Sequence, residues 1–418
     1  VGAARCAEAR AKFPERAREV DLVEGRLRLL EAEALLWRGA PQQGFTPAQE
    51  AVRLLPRGGA EWFRAVGEGG TALGRMSRVD EMVRWIDAHA DVVPAPDAVG
   101  AWAVAFARMA VHLYHAGRHD AGDRILAAID AGMRASGEDV GAMAIARLAG
   151  ARASRAAVLL ELDEVEAQTE TALRAYERAG DLRNVATQAT VLGIALTRGG
   201  RYDEALRWLT MARDLGVRLR LPMSLGMVLR PLGHIHFLRG ERTQGVALVR
   251  EAIERLETTE HPRLISIAYC ELGWMLFEDG DLAEAERCAE RALSFASNAP
   301  VAQQFSLALR ARVACREGRA AEAARLADEA VAIPMADRAI FDSGAMADLA
   351  RIEARMAQGD TAGARAAAVE AWGNLCRDAR GIRVPTRRSA YLLGVPIHRE
   401  IHARCVALGV DAPVDAVA

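Results

Sequence analysis

The chain has 418 residues, of which 51% are apolar and 26% charged, and its 54 Lys and Arg residues nearly balance 56 Asp and Glu residues. This composition excludes an intrinsically disordered chain and gives no general attraction to nucleic acid or to an anionic membrane. The apolar runs are far shorter than the ~20 residues that span a bilayer. We therefore expect neither nucleic acid nor membrane as a partner. Because Val1 is not a Met and no signal segment follows it, we expect a piece of a longer polypeptide or a processed one.

Lys12 is the only lysine. A P-loop, a protein kinase and a pyridoxal-phosphate enzyme each depend on a lysine in a defined setting. Lys12 lies in AKFPERAREV, which has neither a glycine-rich loop nor a preceding strand. The sequence therefore predicts no enzyme of these kinds within this segment, no catalytic residues and no cofactor.

The six cysteines are dispersed singly and form no C-x-x-C pair. Isolated thiols in alanine-rich stretches are typical of a reducing compartment, so we expect a cytoplasmic protein without a disulfide framework.

In chain order, residues 1–65 are expected to form irregular N-terminal helical hairpins, and a regular repeat begins at about residue 66. A short turn recurs between two apolar-periodic stretches at intervals of 38 to 45 residues. It contains Gly74, Gly117, Gly200, Gly240, Gly280, Gly318 and Gly359, and in a degenerate copy Leu162 stands in the place of the glycine. Such a period is typical of a helical-repeat solenoid. The repeats are expected over 66–380, and 381–418 is expected to form C-terminal capping helices and a tail.

Each period predicts a first helix, a turn and a second helix. Apolar residues recur at helical spacing before Gly280, and small alanines such as Ala285 follow it. Gly280 is expected to end the first helix and Asp281 to cap the second. First helices are predicted at about 182–198, 222–238, 262–278, 300–316 and 342–357. The predicted fold is all-α, a superhelical solenoid of about eight or nine helical hairpins that forms one continuous unit.

The repeats resemble the tetratricopeptide repeat (TPR) family. That family has a Leu-Gly pair, a turn glycine seven residues later and alanines five, nine and twelve residues beyond the turn. Leu272-Gly273 fits this pattern in full with Gly280, Ala285, Ala289 and Ala292. The period here is about 40 residues where the family has 34, which implies longer helices.

A narrower resemblance involves GGAEWFRAVGEGGTALGR (58–75), YERAGDLRNVATQATVLG (176–193) and IRVPTRRSAYLLGVPIHREIHARCVALG (382–409). These segments look like the TPR tails of bacterial serine/threonine protein kinases and of STAND-type ATPases. The resemblance implies a sensor or docking tail. It implies no kinase activity in this segment.

Three motifs resemble functional sites, but their residues are more typical of ordinary structure. GEGGTALGR (67–75) lacks the strand and lysine of a phosphate loop. His112, His115 and His119 are separated by Gly117, so we do not expect a zinc site. His398 and His402 lie one helical turn apart, but Arg399 occupies the place of a metalloprotease glutamate. We expect no metal site.

The candidate binding site is the concave groove, which the first helices of TPR arrays line. Its predicted residues are aromatic side chains with arginines at the edges, the usual anchors of protein recognition: Arg230, His234, Phe237, Trp274, Phe277 and Arg312. The alternative is that longer helices coil tightly and bury these side chains as core.

The predicted function is that of a non-catalytic protein-interaction or regulatory domain. Its expected partner is a protein or peptide in the groove, or the catalytic domain of the parent chain, which the resemblance makes a bacterial serine/threonine kinase. The alternative is a small-molecule or peptide sensor domain of a STAND-type ATPase or a transcriptional regulator, which a closed aromatic pocket would favour.

Overall fold

A computed structural model describes residues 2–137, 140–159, 161–259, 261–296, 299–333 and 342–414. Within these residues all regular structure is helical and no strand occurs, so the predicted all-α class is confirmed. None of the described helices combines the length and the apolarity that crossing a bilayer requires.

The helices before residue 182 are α1 (Gly2–Lys12), α2 (Ala17–Trp37), α3 (Pro41–Leu54), α4 (Ala60–Arg75), α5 (Val79–Ala90), α6 (Val99–His115), α7 (His119–Ser136), α8 (Gly141–Val158) and α9 (Leu162–Arg178). The next ten are α10 (Leu182–Arg198), α11 (Tyr202–Arg218), α12 (Pro222–Leu238), α13 (Arg242–Glu257), α14 (Pro262–Asp279), α15 (Leu282–Phe295), α16 (Pro300–Arg316), α17 (Ala320–Ala332), α18 (Ser343–Ala357) and α19 (Thr361–Ala379). The last are α20 (Pro385–Ser389), a π-helical turn (Ala390–Gly394) and α21 (Pro396–Ala407). The five predicted first helices correspond to α10, α12, α14, α16 and α18 within one residue.

The chain divides into two compact units, where one continuous unit was predicted. Unit 1 contains Val1–Arg152, Thr171–Asp181 and Thr258–His261, and unit 2 contains Ala153–Glu170, Leu182–Glu257 and Pro262–Ala418. The boundary between the two units falls inside α8 and α9. The repeat period of the sequence continues through these helices, so it gives no sign of the boundary.

The turns between paired helices follow the predicted chemistry with two exceptions. Gly280 has a φ of +86°, a left-handed conformation that ends α14 without a Cβ penalty, and the Asp281 side chain accepts a hydrogen bond from Glu284 N at 3.1 Å. Gly74 is not the turn residue of its repeat, because it lies inside α4 and Ser77 takes the positive φ. Leu162 begins α9 instead of occupying a turn.

Small residues let the paired helices approach closely, as the predicted Leu-Gly pairs require. A Cβ on Gly273 would lie 3.1 Å from Cys288 Cβ and 3.2 Å from Ala285 O, and Ala285 is fully buried. A Cβ on Gly233 would lie 2.7 Å from Gly245 O. The close contact between α14 and α15, and between α12 and α13, therefore depends on small side chains at the crossing.

The C-terminal segment, residues 382–410, packs back onto much earlier helices of unit 2. Arg387 Nη1 lies 2.7 Å from Asp163 Oδ1 and 3.0 Å from Glu166 Oε2, both on α9. The Tyr202 hydroxyl donates to Gly394 O at 3.4 Å. These contacts place the segment against the first helices of unit 2.

Candidate functional site

A cavity of about 90 Å³ lies on the inner face of unit 2, the face formed by α10, α12, α14, α16 and α18. The C-terminal segment supplies a further wall. The lining residues are Ile194, Thr197, Arg198, Tyr202, Arg230, Pro231, His234, Glu271, Trp274, Phe305, Asp342, Met346, Val395, Pro396 and Ile397. The cavity thus combines an apolar surface with a few charged side chains, the composition usual for ligand sites.

A buried carboxylate organises one side of the cavity. Glu271 Oε2 accepts a hydrogen bond from Arg230 Nη1 at 2.7 Å, and its Oε1 lies 2.8 Å from His234 Nδ1. Burial alone would raise the pKa of Glu271, but the charges of Arg230 and His234 outweigh burial and lower it below the ordinary value. Glu271 is therefore an anion that fixes the side chains of its two neighbours.

Aromatic rings form the next part of the wall. The His234 ring stacks on Trp274 with centroids 5.0 Å apart and an interplanar angle of 15°. The Phe237 ring packs edge-on against the Trp274 ring, with the two centroids 5.4 Å apart. Trp274 is only 8% exposed, and both it and His234 line the cavity, so the stack forms part of its wall.

The opposite side contains a buried cation without a hydrogen-bond partner. Arg198, at the end of α10, is 9% exposed, and within the described part of the chain its Nε and Nη2 atoms are buried with no partner. Asp342 lies in the same lining, and its pKa is lowered although burial alone would raise it, because His398 and then Arg198 favour the carboxylate. Asp342 Oδ1 lies 3.7 Å from His398 Nε2.

Two further features of the lining are the backbone conformation of Asp342 and the phenol group of Tyr202. Asp342 has a φ of +40°, the left-handed region that non-glycine residues occupy at a cost and that clusters at functional sites. Burial, and then the Asp342 charge, raise the pKa of Tyr202, so its hydroxyl stays protonated and acts as a neutral donor.

The structure places three of the six predicted groove residues in the cavity lining and the other three outside it. Arg230, His234 and Trp274 line the cavity. Phe237, Phe277 and Arg312 are buried, with 4%, 1% and 1% exposure, and none of the three lines it. For these three the structure shows the tightly packed alternative.

Arg312 forms a sealed ion-pair cluster instead of an open anchor. Its Nε lies 2.9 Å from Glu353 Oε2, and its Nη2 lies 2.7 Å from Glu400 Oε2 on α21. The guanidinium also lies over the Phe277 ring, 4.7 Å from its centroid. The edge of the guanidinium group and one of its faces are therefore engaged by this chain.

The predicted groove residues do not include Arg198, Tyr202, Asp342 or the wall at residues 395–397. Arg198 and Tyr202 flank the predicted turn at Gly200, a signal that could have suggested them. The C-terminal wall depends on contacts across about 200 residues, which a local repeat pattern does not contain.

The motifs set aside as sites have structural surroundings. Residues 67–75 lie within α4 and form no loop. His398 is buried with Nδ1 2.8 Å from Tyr391 O, whereas the His402 ring packs on Trp372 at 5.1 Å. Among the described residues no group of three potential ligands is placed to hold a metal ion.

Comparison with known proteins places this fold. A tetratricopeptide-repeat family model matches residues 267–297. The chain is similar in structure to a Rap protein complexed with Competence and Sporulation Factor, with 14% identity, a TM-score of 0.56, and coverage of 84% of this chain and 99% of that one. It is also similar to IFIT1 with m7Gppp-AAAA, with 12% identity, a TM-score of 0.50, and coverage of 92% and 90%. No curated protein matches the sequence. At these identities the likeness establishes the fold, which is an all-α, TPR-like helical-repeat fold as predicted.

Proposed function

We propose that this chain is a non-catalytic regulatory domain that binds a peptide or protein segment on the inner face of unit 2, with one side group inserted into the cavity. The observation that carries the proposal is the cavity itself, which joins the His234–Trp274 stack to the charged groups Arg198 and Glu271. Rigid aromatic rings beside arginine are the usual anchors of protein recognition. The TPR-like fold and the Rap neighbour, whose structure was determined with a bound factor, support this assignment.

The parent protein is a second part of the proposal. The resemblance of residues 58–75, 176–193 and 382–409 to kinase tails supports a bacterial, cytoplasmic serine/threonine kinase as parent, with this domain docking a partner or its own catalytic domain. The reading frame upstream of residue 1 tests it. A kinase domain there is the expected result, and a STAND-type ATPase or an unrelated domain would contradict it.

Peptide binding can be tested by affinity selection from a synthetic library of random seven-residue peptides, followed by calorimetric titration of the enriched sequences. Ile194→Phe fills the cavity and Trp274→Leu removes the stacked ring. Each is expected to weaken binding by about 30-fold, the loss typical of a central anchor.

Val217→Ala, at a 60%-exposed site on α11, is the control and should bind like the wild type. Circular dichroism of each variant establishes that it is folded. The absence of any enriched peptide, or full binding by folded Ile194→Phe, would contradict the proposal.

A further inference from the structure

The charges around the cavity leave one cation uncompensated by hydrogen bonds. Glu271 is held by Arg230 at 2.7 Å and approached by His234 at 2.8 Å, and Asp342 faces His398 at 3.7 Å. Arg198 remains, 9% exposed, with Nε and Nη2 buried and unpartnered among the described residues. A guanidinium is always charged in proteins, and leaving such a group buried without hydrogen bonds is costly. Although the charge of Asp342 acts on Arg198, these two nitrogens leave buried N–H donors for an anion from outside the chain.

The shape of the site restricts that anion. An apolar cavity of ~150 Å³ holds one benzene ring, so this smaller cavity takes a stem of roughly four carbons. The surfaces around it are apolar and come from both the repeats and the C-terminal segment, with Trp274, Phe305 and Ile397 among them. His234 and Asp342 are 25% and 23% exposed in their side chains, so the cavity reaches solvent there.

We propose that the cavity binds a carboxylate on a short branched apolar stem, with the carboxylate on Arg198 and the stem against Trp274 and the Val395–Ile397 wall. Planar carboxylates match the planar guanidinium fork and form charge-assisted hydrogen bonds with it. The Tyr202 hydroxyl, in the same lining, already donates its proton to Gly394 O, so the donors for the carboxylate come from Arg198. Two sources carry this chemistry, a free short-chain acid and the last residue of a peptide that ends in an apolar side chain.

Because residues 395–397 form part of the wall, occupancy also has a structural effect. A bound stem contacts the repeats and the C-terminal segment together, and binding to the folded state alone stabilises it. The ligand should therefore protect the amides of 390–397 from hydrogen exchange. This inference rests on the site of the proposed function but concerns the group that enters it.

The test uses the full chain and four defined probes, titrated calorimetrically: isovalerate, its neutral amide isovaleramide, acetyl-Ala-Ala-Leu with a free carboxylate, and the same peptide as its amide. At least one acid should bind about tenfold or more tightly than its amide, the usual scale for a hydrogen bond to a charged group. Tighter binding of isovalerate identifies a free acid as the source, and tighter binding of the peptide acid identifies a peptide terminus.

Arg198→Gln and Arg198→Met should each abolish the preference for acid over amide. Both should be at least as thermally stable as the wild type without ligand, because they remove a buried unpartnered charge. The matched control is Arg207→Gln, an exposed arginine on α11, which should retain the preference.

Several results would overturn the inference: equal binding of acids and amides, unchanged binding by Arg198→Gln, or no saturable binding of either acid. Unfolding of both Arg198 variants would also overturn it, since Arg198 would then be a structural group. Its failure is separable from that of the proposed function. If library peptides bind equally well with and without a free carboxylate, the proposed peptide binding stands and the carboxylate site fails. If isovalerate binds but no peptide is enriched, the carboxylate site stands and peptide binding fails.

Discussion

Each unit buries an arginine–glutamate pair between the first helices of successive hairpins, but the surroundings differ. In unit 1, Arg108 Nη2 on α6 lies 3.1 Å from Glu68 Oε2 on α4. In unit 2, Arg230 on α12 pairs with Glu271 on α14. The partners in the two pairs are 40 and 41 positions apart in the sequence, which is about one repeat. The glutamate lies on the earlier helix in unit 1, whereas the arginine lies on the earlier helix in unit 2.

The unit 1 pair is packed tightly because its helix is rich in glycine. A Cβ on Gly67 would lie 3.0 Å from Ala105 Cα, and one on Gly69 would lie 2.5 Å from the Trp85 ring. In unit 2 the pair borders the cavity. The repeat therefore sets the position of a buried ion pair. The residues beside the pair determine whether it is packed into the core or borders a cavity.

The largest expected effect comes from removing the acid in unit 1. The charges of Arg108, Arg75 and Arg147 all act on Glu68, and burial with neighbouring cations lowers the pKa of Arg75 to about 10. Glu68→Gln leaves Arg108 buried without its partner, so it should lower the free energy of unfolding by about 3 to 5 kcal/mol. Urea denaturation followed by circular dichroism measures this loss.

The same pair predicts a pH dependence. Burial alone would raise the pKa of Glu68, but Arg108 outweighs burial and holds it below the ordinary value. The stabilisation is therefore complete above the pKa of the unfolded chain and is lost as the pH falls through the folded pKa. The destabilisation by Glu68→Gln should shrink in acid. The control Glu81→Gln, in a solvent-accessible pair with Arg78, should leave the denaturation midpoint nearly unchanged.

A smaller loss is expected for Glu271→Gln. It separates a buried guanidinium from its carboxylate, but the cavity beside it gives water access to Arg230, so the loss should be about 2 kcal/mol. Denaturation under the same conditions as for Glu68→Gln provides the comparison. Equal losses at the two positions would show that the cavity does not relieve the unpaired charge, and the contrast between the units would fail.

The third effect, of a size similar to the second, concerns packing without charge. Ala285 lies against Gly273 where α14 and α15 cross, so Ala285→Leu should overpack the contact and cost about 1 to 3 kcal/mol. Chemical denaturation measures it, and Ala283→Leu, on the exposed face of the same helix, serves as the reference. An unchanged midpoint would mean that close helix approach in unit 2 does not depend on small residues as it does around Gly69.

Periodicity predicted the helices well because each repeat is local. The spacing of the turn glycines and the Leu-Gly pairs located α10, α12, α14, α16 and α18 within one residue. The inward-facing positions of the same repeat predicted Arg230, His234 and Trp274 as groove residues, but they predicted Arg312 as a groove residue too. Repeat position alone does not distinguish a side chain beside a cavity from one covered by Glu400 of α21. Whether the six residues bind a partner stays a prediction.

The rest depends on contacts that no short pattern contains. Asp342 and Arg198 share the cavity although 144 positions separate their numbers in the sequence, and the C-terminal wall comes from a segment read as a cap. The division into two units was missed for a related reason, because the period continues through α8 and α9.

The return of the C-terminal segment changes how unit 2 must unfold. Repeat arrays ordinarily lose hairpins one at a time from an end, because each contacts only its neighbours. Here Arg387 reaches Asp163 across 224 positions, and Tyr202 reaches Gly394 across 192. Closing such long loops slows folding, since the entropy is lost before the contacts form. Once closed, the segment couples α9 and α11 to the far end of the array, so its detachment must precede stepwise fraying from that end.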